Sequence, residues 1–280
     1  MKKLFILLLF LRFTAIQAQE EPPKDGWTKG GNFTFTLNQS SFSNWVSGGD
    51  NAVAGNALIN YNANLVKNTW NWDNRIILAY GMANTASKGT IKTDDRIELN
   101  SLVGKKASGH WYYSLFTSFL TQFSDGYDYK QDPKVLTSRF FAPAYLSFGP
   151  GMLWKKSDNF KINLSPATGK LTLVMDKTLS DAGAFGVDPG KTSRMELGFY
   201  GSVYHKAPIM KNITLENILN VYSNYMEEPQ NIDVNHQLSL VMQVNKYISA
   251  NLNLHTIYDD NMSTDIQFKE VFGIGFNYAF

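Results

Sequence analysis

Apolar and polar residues alternate along most of this chain with a period of two. In segment 53–65, apolar side chains recur at every second position and asparagine fills most positions between them. Similar alternation marks 33–37, 70–82, 97–103, 111–123, 144–154, 195–203, 213–225, 232–244, 248–258 and 267–280, and a less regular form covers 160–174. Since strand side chains point alternately to two faces, each segment predicts a strand with one apolar and one polar face. The pattern predicts an all-β protein of about twelve strands.

The predicted strands and their connections point to a membrane. Most of the strands span ~10 residues, against ~5–6 for typical soluble strands. Short turns at 68–69, 108–109, 157–159, 207–208 and 245–246 alternate with longer links at 41–50, 84–93, 124–139 and 175–192. Short turns on one rim, long loops on the other and an even strand number are typical of bacterial outer-membrane barrels. We therefore predict a transmembrane antiparallel up-and-down β-barrel with short periplasmic turns, longer extracellular loops and both termini in the periplasm.

The C-terminal segment carries a second signal. One face of the strand contains Phe268, Phe272, Ile274, Phe276, Tyr278 and Phe280, with Glu270 as its polar exception. A terminal strand that ends in phenylalanine resembles the C-terminal signature of bacterial outer-membrane barrels, which the barrel assembly machinery reads. We expect Phe276, Tyr278 and Phe280 to form an assembly signal and this strand to pair with 33–37. The barrel assembly machinery and outer-membrane lipids are the expected partners.

The N-terminus predicts secretion. A basic start, an apolar run from Leu4 to Leu11 and small residues up to Ala18 indicate a signal peptide over residues 1–18. The apolar run is far shorter than the ~20 residues of a spanning helix. We expect residues 19–30 to form a short periplasmic segment and residues 31–280 to form the barrel.

Charge and cysteine content exclude several classes of protein. The full chain has 26 basic and 24 acidic residues; removal of Lys2, Lys3 and Arg12 leaves 23 against 24, or −1. A nucleic-acid-binding protein would need a basic face, so nucleic acid is not an expected partner. The chain has no cysteine, which excludes disulfides, thiol chemistry and a lipid-anchored N-terminus.

The polar face of the predicted strands, which would line the lumen, consists mostly of amides and hydroxyls with a few charges of both signs. The charged positions are Asp73, Arg75, Arg96, Glu98, Arg194, Glu196, Glu216 and Lys269. A strongly selective ion pore tends to carry one sign at its constriction. Mixed signs favour a paired network that fills and rigidifies a narrow barrel, with a weakly selective pore or a neutral-solute site as the alternatives.

Two further sets of residues carry structural predictions. Trp70, Trp72, Trp111 and Trp154 flank predicted short turns and predict an interfacial aromatic girdle, although strands are also rich in aromatics for other reasons. The loop 179–190 contains the apolar Phe185 and Val187, which favour a loop that folds inward as a plug or packs on the barrel mouth. Its carboxylates, Asp181 and Asp188, and the run 259–261 offer oxygen ligands for a hard cation, but neither has calcium-loop spacing. No metal or cofactor is predicted.

Twelve-stranded outer-membrane phospholipases use Ser, His and Asn on the lipid face, so the histidines of this chain are candidate catalytic residues. His110 and His205 are expected at short turns, His236 among apolar neighbours and His255 in the lumen. The only serine two residues from a histidine is Ser108, in a tight turn. A triad assembled across strands would still be possible, but the sequence predicts a protein that is not an enzyme.

Several segments together resemble an uncharacterised Bacteroidota outer-membrane β-barrel family, a domain of unknown function (number 3078). They are 27–31, 41–45 with 48–49, 92–98, 181–190, 231–235 and 267–270. The resemblance implies a barrel and brings no catalytic or ligand residues with it. We predict a structural or accessory subunit of an envelope complex, which binds other outer-membrane or periplasmic proteins. The alternatives are a porin-like small-solute channel with a neutral amide-rich lumen and a barrel enzyme that acts on lipid.

Overall fold

The computed structural model describes residues 25–41 and 51–280. The predicted signal peptide, the first half of the predicted 19–30 segment and most of the 41–50 link lie outside these residues. The first strand begins at Gly26, where it pairs with Val66. The strand therefore starts before the boundary predicted at residue 31.

The described residues form fourteen strands, all paired in antiparallel fashion. They are β1 (Gly26–Ser40), β2 (Ala52–Lys67), β3 (Trp70–Thr85), β4 (Gly89–Ser108), β5 (Trp111–Thr121), β6 (Gly126–Asp128), β7 (Val135–Ser138), β8 (Ala144–Ser157), β9 (Phe160–Leu173), β10 (Ser193–Met210), β11 (Ile213–Asn224), β12 (Ile232–Gln243), β13 (Ile248–Asp259) and β14 (Ser263–Ala279). Twelve close into an up-and-down barrel, and β6 and β7 form a separate hairpin in the β5–β8 link. The predicted fold is confirmed.

The barrel closes between β1 and β14. Tyr278 pairs with Phe33 and Phe276 with Phe35, and the side chains of Tyr278 and Phe276 are exposed on the outer face. Backbone bonds continue to Phe280, whose N–H donates to the Gly31 carbonyl at 3.0 Å and whose carbonyl accepts from the Gly31 N–H at 2.8 Å. The predicted pairing of the terminal strand with 33–37 is confirmed.

Two rims differ in the length of their connections. The short-turn rim has links at 68–69, 109–110, 158–159, 211–212 and 244–247, and the long-loop rim includes 122–143, 174–192 and 225–231. Asn68, Gly109 and Asn212 adopt positive φ in these tight turns, which glycine and asparagine tolerate best. The 174–192 link contains a helix, α1 (Lys177–Asp181), and a 3₁₀ turn at Ala184–Gly186.

Two predicted connections are wrong. The turn predicted at 207–208 lies inside β10, which continues to Met210 because a register shift after Pro208 accommodates a residue without an N–H. The long link predicted at 84–93 is only 86–88, because β3 and β4 extend past their alternating segments and pair up to Thr85 and Gly89. Polar residues on either side of the alternating, apolar part of a strand therefore still belong to that strand.

The distribution of polarity is the reverse of that in a soluble protein. Large apolar side chains are exposed on the outer face, for example Ile274 at 67%, whereas polar side chains such as Thr168 at 0% are enclosed. No helix among the described residues is long and apolar enough to cross a membrane. An apolar exterior around a polar interior is the arrangement of a transmembrane β-barrel.

Candidate functional site

The lumen is crossed by side chains from opposite walls of the barrel. Arg96 on β4 donates from Nη1 to Oε1 of Gln237 on β12 at 2.7 Å, and Arg75 on β3 forms an ion pair with Glu216 on β11. In the strand order, β4 lies opposite β12 and β3 lies opposite β11. These two contacts, which we call the cross-lumen bridges, therefore span the barrel interior rather than run along its wall.

Further ion pairs surround the cross-lumen bridges. Arg96 lies 3.5 Å from Glu98 on its own strand, and Lys206 lies 3.6 Å from Glu216. Nζ of Lys269, on β14, lies 2.7 Å from a carboxylate oxygen of Asp94 on β4. Each bridging charge thus has a compensating charge nearby, as low-dielectric surroundings require.

A second ion-pair group lies near the short-turn rim. Nζ of Lys161 is 2.7 Å from Asp73, and Nζ of Lys155 is 3.2 Å from the same carboxylate. Lys155 also contacts Asp158 in the turn at 2.8 Å. This group ties β3 to β8 and β9 across the intervening β4 and β5.

A third group, which we call the Lys170 cluster, lies toward the long-loop rim. Nζ of Lys170 lies 2.8 Å from Asp233, 3.5 Å from Asp259 and 4.0 Å from Glu196. Its ammonium group also stands 4.9 Å from the ring centroid of Tyr222, within cation–π range. Ligand oxygens of Asp233, Asp259 and Asp260 lie within 4.8 Å of one another. Lys170 forms ion pairs with two of these three carboxylates, so its single positive charge compensates them in part.

The structure places all eight predicted lumen charges inside the barrel, and each forms at least one ion pair. They divide into separate groups rather than one continuous network. The sequence prediction omitted six of their partners, namely Asp94, Lys155, Lys161, Lys170, Lys206 and Glu227. It also omitted Asp233 and Asp259, which pair with Lys170. The lysines of β9 were omitted because register shifts in its pairing with β8 and with β10 interrupt the alternation there. Polar residues at every second position, first at 161, 163 and 165 and then at 168, 170 and 172, were the available signal.

Aromatic rings fill another part of the lumen. Phe116 on β5 stacks on Tyr200 on β10, with ring centroids 4.4 Å apart and planes inclined by 15°. Both side chains point inward from strands that are not neighbours. The ring pair therefore packs this side of the barrel with apolar surface.

A cavity of about 620 Å³ occupies the remaining lumen between β1–β4 and β10–β14. It extends from Lys29 and Asn245 at the short-turn rim to the level of Arg96, Asp94 and Lys269. Amide side chains dominate its walls. They are those of Asn32, Asn56, Asn60, Asn62, Asn64, Gln237, Gln243, Asn245, Asn251, Asn253 and Asn277. The cavity is thus rich in amides, as predicted, but its charged lining is mostly basic. Five basic residues face two acidic ones, namely Lys29, Arg75, Arg96, Lys206 and Lys269 against Asp94 and Glu216.

The 174–192 loop covers part of the long-loop rim. Leu179 and Val187 pack in a buried cluster with Ala142 and Val174, and Phe185 packs against this cluster. Arg194 on β10 also contacts the loop, because its Nη1 donates to the Gly186 carbonyl at 3.3 Å. The apolar residues of the loop therefore fold inward.

The carboxylates predicted for this loop face outward instead. Asp181 lies 2.5 Å from Lys177 at the surface of α1, and the Asp188 side chain is exposed. The structure does not bring them together as a cation site.

An arginine clamp joins this loop to the hairpin link. Arg139 contacts Asp125 and Asp176, each at 2.8 Å. Its hydrogen bonds lower the pKa of Asp125, and the carboxylate of Asp125 raises the pKa of Arg139. Asp176 also caps α1 by accepting from the Leu179 N–H at 3.1 Å. The clamp and the cap fix the covering loop.

The predicted tryptophans lie at the short-turn end of the barrel. Trp70, Trp72 and Trp111 are exposed on the outer face, and Trp154 is half-buried opposite Trp111. Trp27, which sequence reasoning left out, lies with its ring centroid 5.7 Å from that of Trp72. The five rings thus occupy positions suited to a membrane interface.

The histidines occupy different environments. His110 and His205 pack near Trp154 and Phe160 at the short-turn end, and His255 contacts Asn235 in the lumen at 3.0 Å. His236 faces outward, with Nε2 2.6 Å from Oδ1 of Asn217. Its register partners are Leu219 and Thr256, so no serine stands opposite it. Ser108 pairs with Trp111 at the rim.

These features define the class of the protein: a transmembrane β-barrel with the fold of outer-membrane proteins. Residues 37–127 match the family described as "Protein of unknown function (DUF3078)", which confirms the predicted resemblance over that stretch. No curated protein matches the chain.

Solved outer-membrane barrels have similar folds. An outer-membrane channel from Pseudomonas putida F1 is 10% identical, with 95% of this chain and 98% of that chain covered and a TM-score of 0.41. The translocator domain of the autotransporter NalP from Neisseria meningitidis is 10% identical, with 92% and 90% covered and a TM-score of 0.40. OprB from Pseudomonas putida is 8% identical, with 91% and 94% covered and a TM-score of 0.33.

Proposed function

We propose that this protein is a non-conducting structural or accessory barrel of the outer membrane, a subunit of an envelope complex. The observation that carries the proposal is the pair of cross-lumen bridges, Arg96–Gln237 and Arg75–Glu216. Passage of an ion or solute along the barrel axis would require these contacts to open. Opening would leave an arginine in a partly enclosed lumen without its partner, which is costly.

In this proposal the short-turn rim, where Gly26 and Phe280 lie, faces the periplasm, and the covering loop faces the exterior. Partners are outer-membrane lipids, the assembly machinery and other envelope proteins. The proposal assigns no catalytic role to the chain. Hydrolysis of phospholipid by the purified barrel that His236→Ala abolishes would contradict this part.

Planar-bilayer recording of the refolded barrel tests the absence of conduction. We expect no steady conductance from the native protein and stepwise conductance from the double variant Arg75→Ala/Arg96→Ala. The matched control is Lys105→Ala/Lys177→Ala, which removes two positive charges outside the lumen. Steady ohmic conductance of the native protein would overturn the proposal.

Mild detergent extraction tests the accessory role. The native protein should migrate on native gels in a complex larger than one barrel, with defined companions. A protein that remains strictly solitary after gentle extraction would contradict the accessory role, whatever the bilayer result.

The second candidate function is a small-solute channel, and the 620 Å³ amide-lined cavity favours it. Amides both donate and accept, so they suit neutral solutes rich in hydroxyls or amides. Liposome swelling in a neutral sugar such as arabinose would reveal such a route. Swelling at the rate of a known porin would replace the first proposal with this one.

A further inference from the structure

The lipid-facing surface of β10–β14 carries a continuous line of polar residues. Each of these five strands places one polar residue within its apolar outer face. We call this set the outer polar stripe, and it consists of His205, Asn217, His236, Thr256 and Glu270. His205 pairs with Asn217, and His236 pairs with Thr256. Asn217 and His236 are diagonal neighbours, because Asn217 pairs with Leu238. Thr256 and Glu270 are also diagonal neighbours, because Thr256 pairs with Phe268.

Glu270 is the charged member of the stripe and lies within apolar surroundings. Its neighbours on the outer face of β14 are Phe268 and Phe272, exposed at 61% and 56%. Ile266 continues the apolar surface toward the long-loop rim, so Glu270 does not mark the end of the apolar belt. Among the described residues, no cation or hydrogen-bond donor is paired with the Glu270 side chain.

Another outward polar residue shows how the barrel satisfies such groups by itself. Asn74, on β3, donates to the Ala63 carbonyl at 3.0 Å and accepts from the Ser101 hydroxyl at 2.9 Å. Both ends of its amide are therefore paired within the barrel. In the stripe, the contact between His236 and Asn217 likewise satisfies one atom of each side chain. Glu270 has no comparable local partner.

A carboxylate in the hydrocarbon region is unfavourable unless a cation or donor reaches it. Lipid tails offer neither. A lipid headgroup would have to pass Phe268 and Ile266 to reach Glu270 from the long-loop side. A second copy of this chain would offer imidazole, amide and hydroxyl donors from the same stripe, but no lysine or arginine. Charge complementarity therefore selects a different membrane-embedded protein.

We propose that the outer polar stripe is a docking surface for a membrane-embedded protein partner that presents a lysine or arginine to Glu270. The partner also presents polar groups to the His236–Asn217 pair. This inference rests on the proposed accessory function and assigns its contact surface. The interface lies on the β10–β14 side, so the lumen and the covering loop stay free.

Site-specific photo-crosslinking in intact cells tests the inference. A benzophenone amino acid is placed at Leu254, the register partner of Glu270, and, as a matched control, at the outward-facing Leu78 on β3. We expect a discrete protein adduct from position 254 and none of the same size from position 78. Peptide mapping of the adduct should place a partner lysine or arginine beside the cross-link.

Charge variants then separate docking from chance capture. Glu270→Gln should reduce the adduct at least tenfold and Glu270→Lys should abolish it. Reversal of the mapped basic residue in the partner to glutamate should restore the adduct with Glu270→Lys. Heat-modifiable migration of both variants on gels verifies that the barrel still folds.

Several outcomes would overturn the inference. They are adducts with lipid only, an adduct with a second copy, equal adducts from both positions, or an adduct unaffected by Glu270→Lys. Bilayer conductance is measured on the purified barrel without a partner, so its result bears on the proposed function separately. A conducting barrel that still gives the charge-dependent adduct would refute the closed lumen and leave the docking surface standing.

Discussion

The Lys170 cluster offers a direct test of how burial, rather than distance, sets the strength of an ion pair. The side chain of Lys170 is 11% exposed and its carboxylate partners Asp233 and Asp259 are 19% and 10% exposed. Lys177 and Asp181 are closer together, at 2.5 Å against 2.8 Å, but Lys177 is 87% exposed. Distance alone would rank the surface pair higher.

The two lysines differ in what removal leaves behind. Lys170→Met leaves Asp233 and Asp259 in the lumen without their cation, and leaves Glu196 with Arg194 as its remaining cation, at 3.5 Å. Removal of one partner of a buried pair typically costs about 3–5 kcal/mol. Lys177→Met leaves one hydrated carboxylate, and an exposed i,i+4 pair contributes about 0.3–0.5 kcal/mol. We therefore expect roughly a tenfold difference in energetic cost between the two variants.

Reversible urea unfolding in lipid vesicles, followed by tryptophan fluorescence, measures the free energy of unfolding of each variant. The double variant Lys170→Met/Asp233→Asn should recover part of the loss, because it removes one of the uncompensated charges. A loss below about 1 kcal/mol for Lys170→Met, or a loss equal to that of Lys177→Met, would refute the reasoning. It would show that water reaches the cluster and screens it.

Three further predictions concern assembly, packing and pH. Deletion of 278–280 removes backbone pairing at the closing seam, so folded barrel in the membrane fraction should fall severalfold; normal levels would refute this. Gly151→Ala should cost about 1–3 kcal/mol in urea unfolding because its methyl group would clash with the β9 backbone. Gly30→Ala, with ordinary contact at 3.4 Å, should cost much less. The Asp125–Arg139 clamp should hold above the ordinary aspartate pKa of about 3.9 and loosen as pH falls through the lowered pKa of Asp125. Hydrogen exchange of the hairpin measures this, and Asp125→Asn should remove the dependence.

The strands and their faces were predictable because each depends on a local rule. A strand between lipid and a polar lumen must alternate, and the segments around Trp70, Trp111 and Ile248 do so with few exceptions, such as Asn74. The prediction of strand ends failed where the alternation of apolar and polar residues stops but the strand continues. Pro208 reads as a turn from sequence but lies in a register shift, and the polar residues next to Thr85 and Gly89 still pair.

The candidate site was only half predictable. Sequence identified that charges such as Arg75, Glu216 and Arg96 point into the lumen. It did not identify their partners, since Arg75 and Glu216 are separated by most of the chain and meet only because β3 and β11 lie opposite each other. Lys170 was omitted because bulges in the pairing of β9 obscure which face it occupies.

By itself, the sequence determined the strands, their apolar and polar faces, the role of 267–280 as the closing strand and the amide character of the lumen. Each of these follows from a residue and its near neighbours in a two-residue period. The tertiary structure decided which charges meet across the lumen, how the 174–192 loop covers one rim and how four outward polar residues line up next to Glu270. Those features depend on strand order, register and barrel closure, which bring together residues that no local pattern relates.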